Sequence, residues 1–394
     1  MVFRRLTNSQ SCLLAAVVMT LALLVVYQTS VPSAVLLVPA APALHGHASR
    51  PRQPSSVRQM WHQCRKVLFM SENQYFWEAD AGRRRCRATQ RSADEILEAL
   101  QKLQQSRPGG QSAKLVFIGD SRVRNLQQTV MERLHLRPDS PSAIPILYSD
   151  VYDSVSELRK AFPPQLRPAG LQGGCVEAHA MRINPKMVRC SLGAETDTFR
   201  SESWWRVYLR DIFREKLDSL LSECREGRCP DLVVIDNGPW YANVSRYPGE
   251  RATARAAEFI ADLNDLRHRI ARLAASTRLL WKLDEQYMPE VAFGHKTDVT
   301  RAMMVLSAVV FEAAARIPDL TLWTSGMVET TWFYHQICLP HRNELKNFNN
   351  APVRYECIDP MHVGETVRWK MLQSLFNVLL FSASSPSRTF CCGT

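Results

Sequence analysis

The sequence predicts a three-layer α/β sandwich with a mainly parallel sheet. Two observations carry that expectation. Short apolar runs bounded by turn residues recur along the chain, and most are followed by a stretch whose apolar residues repeat with helical spacing. Parallel strands joined by crossover helices leave that alternation in a sequence. The composition agrees: of 394 residues, 46% are hydrophobic and 22% charged. That balance excludes chain-wide disorder, a collagen and a multi-span membrane protein.

The elements follow in chain order. Ser92 to Gln105 has a serine N-cap and apolar Ile96, Leu97, Leu100 and Leu103, the pattern of an amphipathic helix. Lys114-Leu115-Val116-Phe117-Ile118 is a buried strand ending in Gly119-Asp120, with a helix-compatible stretch from Val123 to Leu136. Strand then helix recurs as 231–235 and 249–276, then as 278–283 and 297–316. A strand at 320–323 precedes a last helix from about Val363 to Leu380. In the long helix, Phe259, Leu263, Leu266, Ile270 and Leu273 fall at spacings of four and three, one face packed on the sheet. Pro138 to Arg206, rich in Pro and Gly, reads as long loops over the C-terminal ends of the strands, where ligands of open α/β sheets bind.

The N-terminus sets the expected compartment. Arg4 and Arg5 precede an uncharged apolar run of 16 residues, Cys12 to Tyr27. This reads as a signal anchor, with a cleaved signal peptide ending near Ala41-Pro42-Ala43 as the competing reading. By the positive-inside rule, the arginine pair stays cytoplasmic. Residues 1–28 are then tail and anchor, 29–58 a Pro- and Ser-rich stem, and 59–394 a luminal domain. The expected location is the Golgi or endoplasmic reticulum membrane, with secretion as the outcome if the segment is cleaved. Ten of the eleven cysteines follow that run, an even luminal count that favours disulfides, and their spacings predict no metal site. The sequon Asn243-Val244-Ser245 is an expected glycosylation site. A net charge of +11 suits anionic metabolites or a membrane as well as nucleic acid. The luminal placement argues against nucleic acid.

Gly119-Asp120-Ser121-Arg122 follows the first core strand directly, which puts a serine hydroxyl at the strand's C-terminal end with a helix N-terminus behind it. That is a nucleophile position with nearby N–H groups for an oxyanion; an ordinary turn with a capping serine is the other reading. A serine needs a base held by an acid. Asp265 and His268 lie inside the long helix and read as solvated neighbours. Asp359-Pro360-Met361-His362 instead falls just before the final helix, where Pro360 lets the carboxylate fold back on the imidazole. An accidental pair at that helix start is the alternative.

A GDS serine near the chain start with a DxxH pair near its end resembles the SGNH/GDSL hydrolases. The Val116–Arg122 run is similar, more closely, to the luminal N-terminal domain of the sialate 9-O-acetyltransferase family. The strand ending near Trp240, the Trp281 strand, Asn377 and the Cys391-Cys392 pair extend the likeness. The resemblance implies an SGNH-like sandwich and acetyl transfer from acetyl-CoA, a co-substrate rather than a bound cofactor, through acetyl-Ser121 to a sugar hydroxyl. His362 would be base then acid, and Asp359 its orienting group. Asn237, one place from the usual oxyanion asparagine, and Gly174, with Gly173 behind it, are the oxyanion residues it suggests. Arg122, with Arg182, Lys186 and Arg189, points to an anionic acceptor such as a sialic acid; contacts to CoA phosphates or to solvent are the alternative. Because the sialate enzymes continue into a multi-span domain, the chain is expected to be a single-anchor relative or a short product of a longer gene. An esterase using the same residues, and a catalytically silent binding domain, are the competing functions.

Overall fold

The computed structural model describes residues 91–105, 107–135, 174–180, 188–195, 198–210, 214–242, 252–283, 297–340 and 362–381. All of them fall within one compact unit. The apolar run Cys12–Tyr27, the stem, the sequon at Asn243 and Asp359 lie outside them. Among the described residues no helix is long and apolar enough to cross a membrane.

Helix α1 (Ala93–Gln105) opens with a reciprocal cap. The Glu95 N–H donates to Ser92 Oγ at 3.1 Å, and the Ser92 N–H donates to Glu95 Oε2 at 2.7 Å. Strand β1 (Ala113–Gly119) leads into α2 (Ser121–His135). Then come β2 (Gly174–Ala180), β3 (Val188–Glu195), β4 (Phe199–Trp205), α3 (Arg214–Arg225), β5 (Leu232–Ile235), and α4 (Pro239–Ala242). The chain continues with α5 (Ala252–Ser276), β6 (Arg278–Lys282), α6 (Thr297–Ala315), β7 (Leu320–Trp323), and α7 (Ser325–Phe333). A π-turn (Tyr334–Cys338) and α8 (Glu365–Phe381) complete it.

The sheet runs β2-β3-β4-β1-β5-β6-β7. Strands β4, β1, β5, β6 and β7 are parallel, and β3 pairs antiparallel with both β2 and β4. Leu115, Phe117, Val234 and Leu280 pack under α1, α2 and α8 on one face. Val116, Ile118, Val233 and Trp281 pack under α3, α5 and α6 on the other. The predicted three-layer class with a mainly parallel sheet therefore holds, and the stripe from Phe259 to Leu273 is buried throughout.

Pro138 to Arg206 departs from expectation, because it contains three strands rather than loops alone. Strand β4 pairs along the whole of β1, yet Ser201, Glu202 and Ser203 are buried in it. Its polar side chains removed the apolar run that marks a central parallel strand. The wide gap between β1 and β5 in sequence also has a topological meaning. The chain adds β4 on one side of β1 and then crosses to add β5 on the other, so the C-terminal end of β1 lies at a switch point where such sheets open a crevice.

The expected disulfide bonding is present among the described residues: Cys224 is bonded to Cys229, and Cys338 is also disulfide-bonded.

Candidate active site

Ser121 begins α2 immediately beyond β1. Asp120 is its N-cap: Oδ1 accepts the Arg122 N–H at 2.8 Å, and the Asp120 carbonyl accepts the Arg124 N–H at 3.1 Å. Gly119 is required by close approach, since a Cβ there would collide with the Asp236 carbonyl oxygen at the end of β5. The strand end is held from both sides. The Arg206 N–H donates to the Gly119 carbonyl at 2.6 Å and the Asp236 N–H donates to the Ile118 carbonyl at 3.0 Å.

Across this strand end stands His362, with Nε2 2.6 Å from Ser121 Oγ. The two residues are 241 apart in sequence, and Arg368 helps bring them together. Its Nε donates to Thr129 Oγ1 of α2 at 2.8 Å, and its Nη1 donates to the carbonyl of Val363, the residue after His362, at 2.7 Å. One side chain thus ties the histidine's segment to the serine's helix. Sequence reasoning passed over Arg368, whose position one turn into the last helix was the available signal.

Charge is concentrated beneath the pair. Burial, then the neighbouring Asp236 carboxylate, push the Asp120 carboxyl up to about 6, against the pull of Arg122, its backbone hydrogen bond and His362. Asp236 is fully buried, and its Oδ2 receives Lys282 Nζ at 3.1 Å. Further out, burial raises Glu132 to about 7 despite Arg368 and Arg133.

The other expected site residues are placed as follows. Asn237 is buried at the end of β5, and its Nδ2 donates to the Arg206 carbonyl at 3.0 Å. Arg122 is 5% exposed, with its charge turned on Asp120. Gly174 is not brought to the serine. It opens β2 opposite Gly193, which in turn faces Glu202, level with Val116 in mid-strand. Three strand spacings, about 14 Å, separate β2 from β1, so the Gly174 oxyanion expectation is corrected. Asp359, Gly173, Arg182, Lys186 and Asn243 lie outside the described residues, as does the Arg189 side chain. Asp265 behaves as read: it is half exposed and ion-paired with Arg214.

A serine on a strand–helix turn, hydrogen-bonded to a histidine at the head of a later helix in a mainly parallel α/β sandwich, defines a site able to carry nucleophilic acyl chemistry. No family model and no curated protein matches the chain. Among solved structures, it is similar to a peptidoglycan O-acetylesterase at TM-score 0.36 and 10% identity, covering 75% of this chain and 98% of that one. It is also similar to a catalytic mutant of an acetylxylan esterase from Geobacillus stearothermophilus, at TM-score 0.32 and 13% identity, covering 68% and 95%. For an acetyl xylan esterase the values are 0.30 and 12%, covering 66% and 97%.

Proposed function

We propose that the chain is a luminal carbohydrate O-acetyltransferase, anchored by its N-terminal segment and working through acetyl-Ser121. The observation that carries this reading is the 2.6 Å contact between Ser121 Oγ and His362 Nε2 at the C-terminal end of the central strand. Ser121 Oγ attacks the thioester carbonyl of acetyl-CoA while its proton passes to His362 Nε2. Collapse of the tetrahedral intermediate breaks the C–S bond, the thiolate takes that proton, and acetyl-Ser121 remains. A sugar hydroxyl then attacks the ester, His362 accepts its proton, and the proton returns to Ser121 as the acetylated sugar leaves. The negative charge on the tetrahedral oxygen falls near the N-terminus of α2, whose N–H groups are donors, with the second N–H of Asn237 as a further one. Asp359 is assigned to His362 Nδ1. The acceptor class is an anionic sugar, of which sialic acid is the leading case, with Arg182, Lys186 and Arg189 assigned to its negative charge.

The test supplies the full-length chain with acetyl-CoA labelled in its acetyl group and a panel of neutral and anionic sugars. Protein-bound label, free acetate and acetylated sugar are measured separately. Label that is trapped on the wild type, absent from Ser121→Ala, and chased into an anionic sugar is the expected result. Release of acetate alone from an acetyl ester, with no transfer to any sugar, would show that water is the acceptor and that the chain is an esterase. No acyl-protein from any donor would overturn the reading.

A further inference from the structure

The chemistry above gives no role to a buried lysine at the end of β6. Lys282 ends β6 and is among the largest fully buried side chains of the described residues, at 1% exposure. A buried ammonium is retained only where charges or dipoles replace its water. Here they include Asp236 Oδ2 at 3.1 Å and the Leu283 carbonyl at 3.5 Å. Asp236 in turn touches the nucleophile's turn through its backbone, with its N–H on Ile118 and its carbonyl against Gly119. Asp120, the cap beneath Ser121, lies close enough for its charge to oppose that of Asp236. The groups facing Asp120 are therefore Asp236 from β5, Arg122 from α2 and His362 from the segment before α8; the cation facing Asp236 is Lys282 from β6.

We infer that Lys282 is a positioning residue for Ser121 and His362: its ion pair with Asp236 fixes that residue beside Gly119-Asp120, and so holds the turn that presents the serine hydroxyl. This rests on the reading of Ser121 as nucleophile. Two carboxylates in one buried site do not both stay ionised without cations, and one of them takes up a proton instead. Losing Lys282 would favour protonation of Asp120, already raised by burial and by the neighbouring Asp236. The cap of α2 would change charge at the position where the serine is attached. Neighbouring strand ends would shift by fractions of an ångström, enough to weaken an attack geometry.

The experiment compares wild type, Lys282→Met, Lys282→Arg, Asp236→Asn and the double variant Lys282→Met/Asp236→Asn in the full-length chain. The readouts are thermal unfolding, the rate of Ser121 labelling by a fluorophosphonate, and kcat and KM for 4-nitrophenyl acetate across pH. Expected for Lys282→Met is a kcat about 10- to 100-fold lower, with KM little changed and the acid limb of the rate profile moved to higher pH. Lys282→Arg keeps the charge and recovers part of the rate. The double variant removes both charges, unfolds at a higher temperature than Lys282→Met, and returns the acid limb toward that of the wild type. Should Lys282→Met fail to fold, the double variant and Lys282→Arg carry the comparison. Melting temperatures that add independently across wild type, Lys282→Met, Asp236→Asn and their double variant, or a Lys282→Met pH profile that overlays the wild type, overturn the inference. Absence of phosphonate labelling in folded wild type overturns instead the reading of Ser121. The unfolding cycle then still judges the charge coupling, and the positioning role falls with the nucleophile.

Discussion

Two clusters of buried charge sit in the same sheet, one strand apart in places, and they are balanced differently. In the first, the Glu202 carboxylate of β4 faces Lys114 at 3.3 Å, Lys216 at 3.4 Å and Arg200 at 2.6 Å, and accepts the Trp204 indole N–H at 2.8 Å. Cations exceed the acid, and although burial opposes ionisation, they hold Glu202 down at about 2. In the second, Asp120 and Asp236 share the strand ends with Lys282 and Arg122, and Asp120 is pushed up to about 6. The first cluster lies in the middle of β4 and joins it to β1 and α3. The second lies under the Ser121 turn. A carboxylate with cations in excess braces elements together and stays charged at any physiological pH, whereas a buried carboxylate pair with only one cation each, beside a nucleophile, is poised to exchange a proton.

Removing the acid from the first cluster has the largest expected effect. Glu202→Ala leaves Lys216, which is 5% exposed and already lowered to about 8 by burial, without its nearest carboxylate. Breaking a buried pair from one side costs about 3–5 kcal/mol. Chemical denaturation should show a loss of that size, while the fluorophosphonate labelling rate of the folded protein keeps its wild-type pH profile. A changed profile would mean that the two clusters are one system.

The pH dependence of stability separates them further, because the signs differ. The folded-state pKa of Glu202 lies below the ordinary carboxylate value, so its stabilisation is present above about 4.5 and is lost as pH falls toward 2. Asp120 is raised, so the folded state binds a proton that the unfolded chain has released between about 4 and 6. Stability from this group falls as pH rises through that window, with a slope of at most about 1.4 kcal/mol per pH unit. Urea titrations at a series of pH values should show Glu202→Gln abolishing the rise above pH 2 and Asp120→Asn abolishing the fall above pH 4. The same slope in wild type and Asp120→Asn between pH 4 and 6 would remove Asp120 from the account.

This contrast also explains what was legible in the sequence. Strands β1, β5, β6 and β7 carry runs such as Leu115-Val116-Phe117-Ile118 and Leu232-Val233-Val234-Ile235, buried on both faces, and an apolar run survives any choice of period. The Ser121–His362 contact was legible because both ends sit in short motifs whose residue types demand a common chemistry. Strand β4 was not, since Ser201, Glu202 and Ser203 are polar, and Glu202 is made compatible with burial by neighbours such as Lys114 and Lys216, distant in sequence. Lys282 was hidden for the same reason: a lysine inside the predicted strand 278–283 carries no sign in the sequence of what its charge will face. Only the pairing of β5 with β6 sets it against Asp236. Gly174 was misjudged because glycine's freedom in sequence does not say which edge of a sheet it will reach.

The smallest expected effect tests the element that lies between the clusters. Trp204 donates to Glu202 Oε2, carries Lys216 Nζ over its ring at 3.7 Å, and has the Arg206 guanidinium 5.6 Å from the ring centroid. Arg206 belongs to the nucleophile's side, since its N–H donates to Gly119 and its carbonyl accepts from Asn237. Trp204→Phe keeps an aromatic face for both cations and removes only the indole N–H and part of the ring. Glu202 remains surrounded by Lys114, Lys216 and Arg200, so no buried carboxylate is left bare. The expected loss is about 1 kcal/mol, that of a single hydrogen bond with a weakened cation–π contact. Because Arg206 reaches the site through backbone groups that this substitution leaves in place, Ser121 labelling should stay within about twofold of wild type. Slowed labelling with an unchanged melting curve would reverse the assignment, making Trp204 part of the nucleophile's support rather than of the brace in β4.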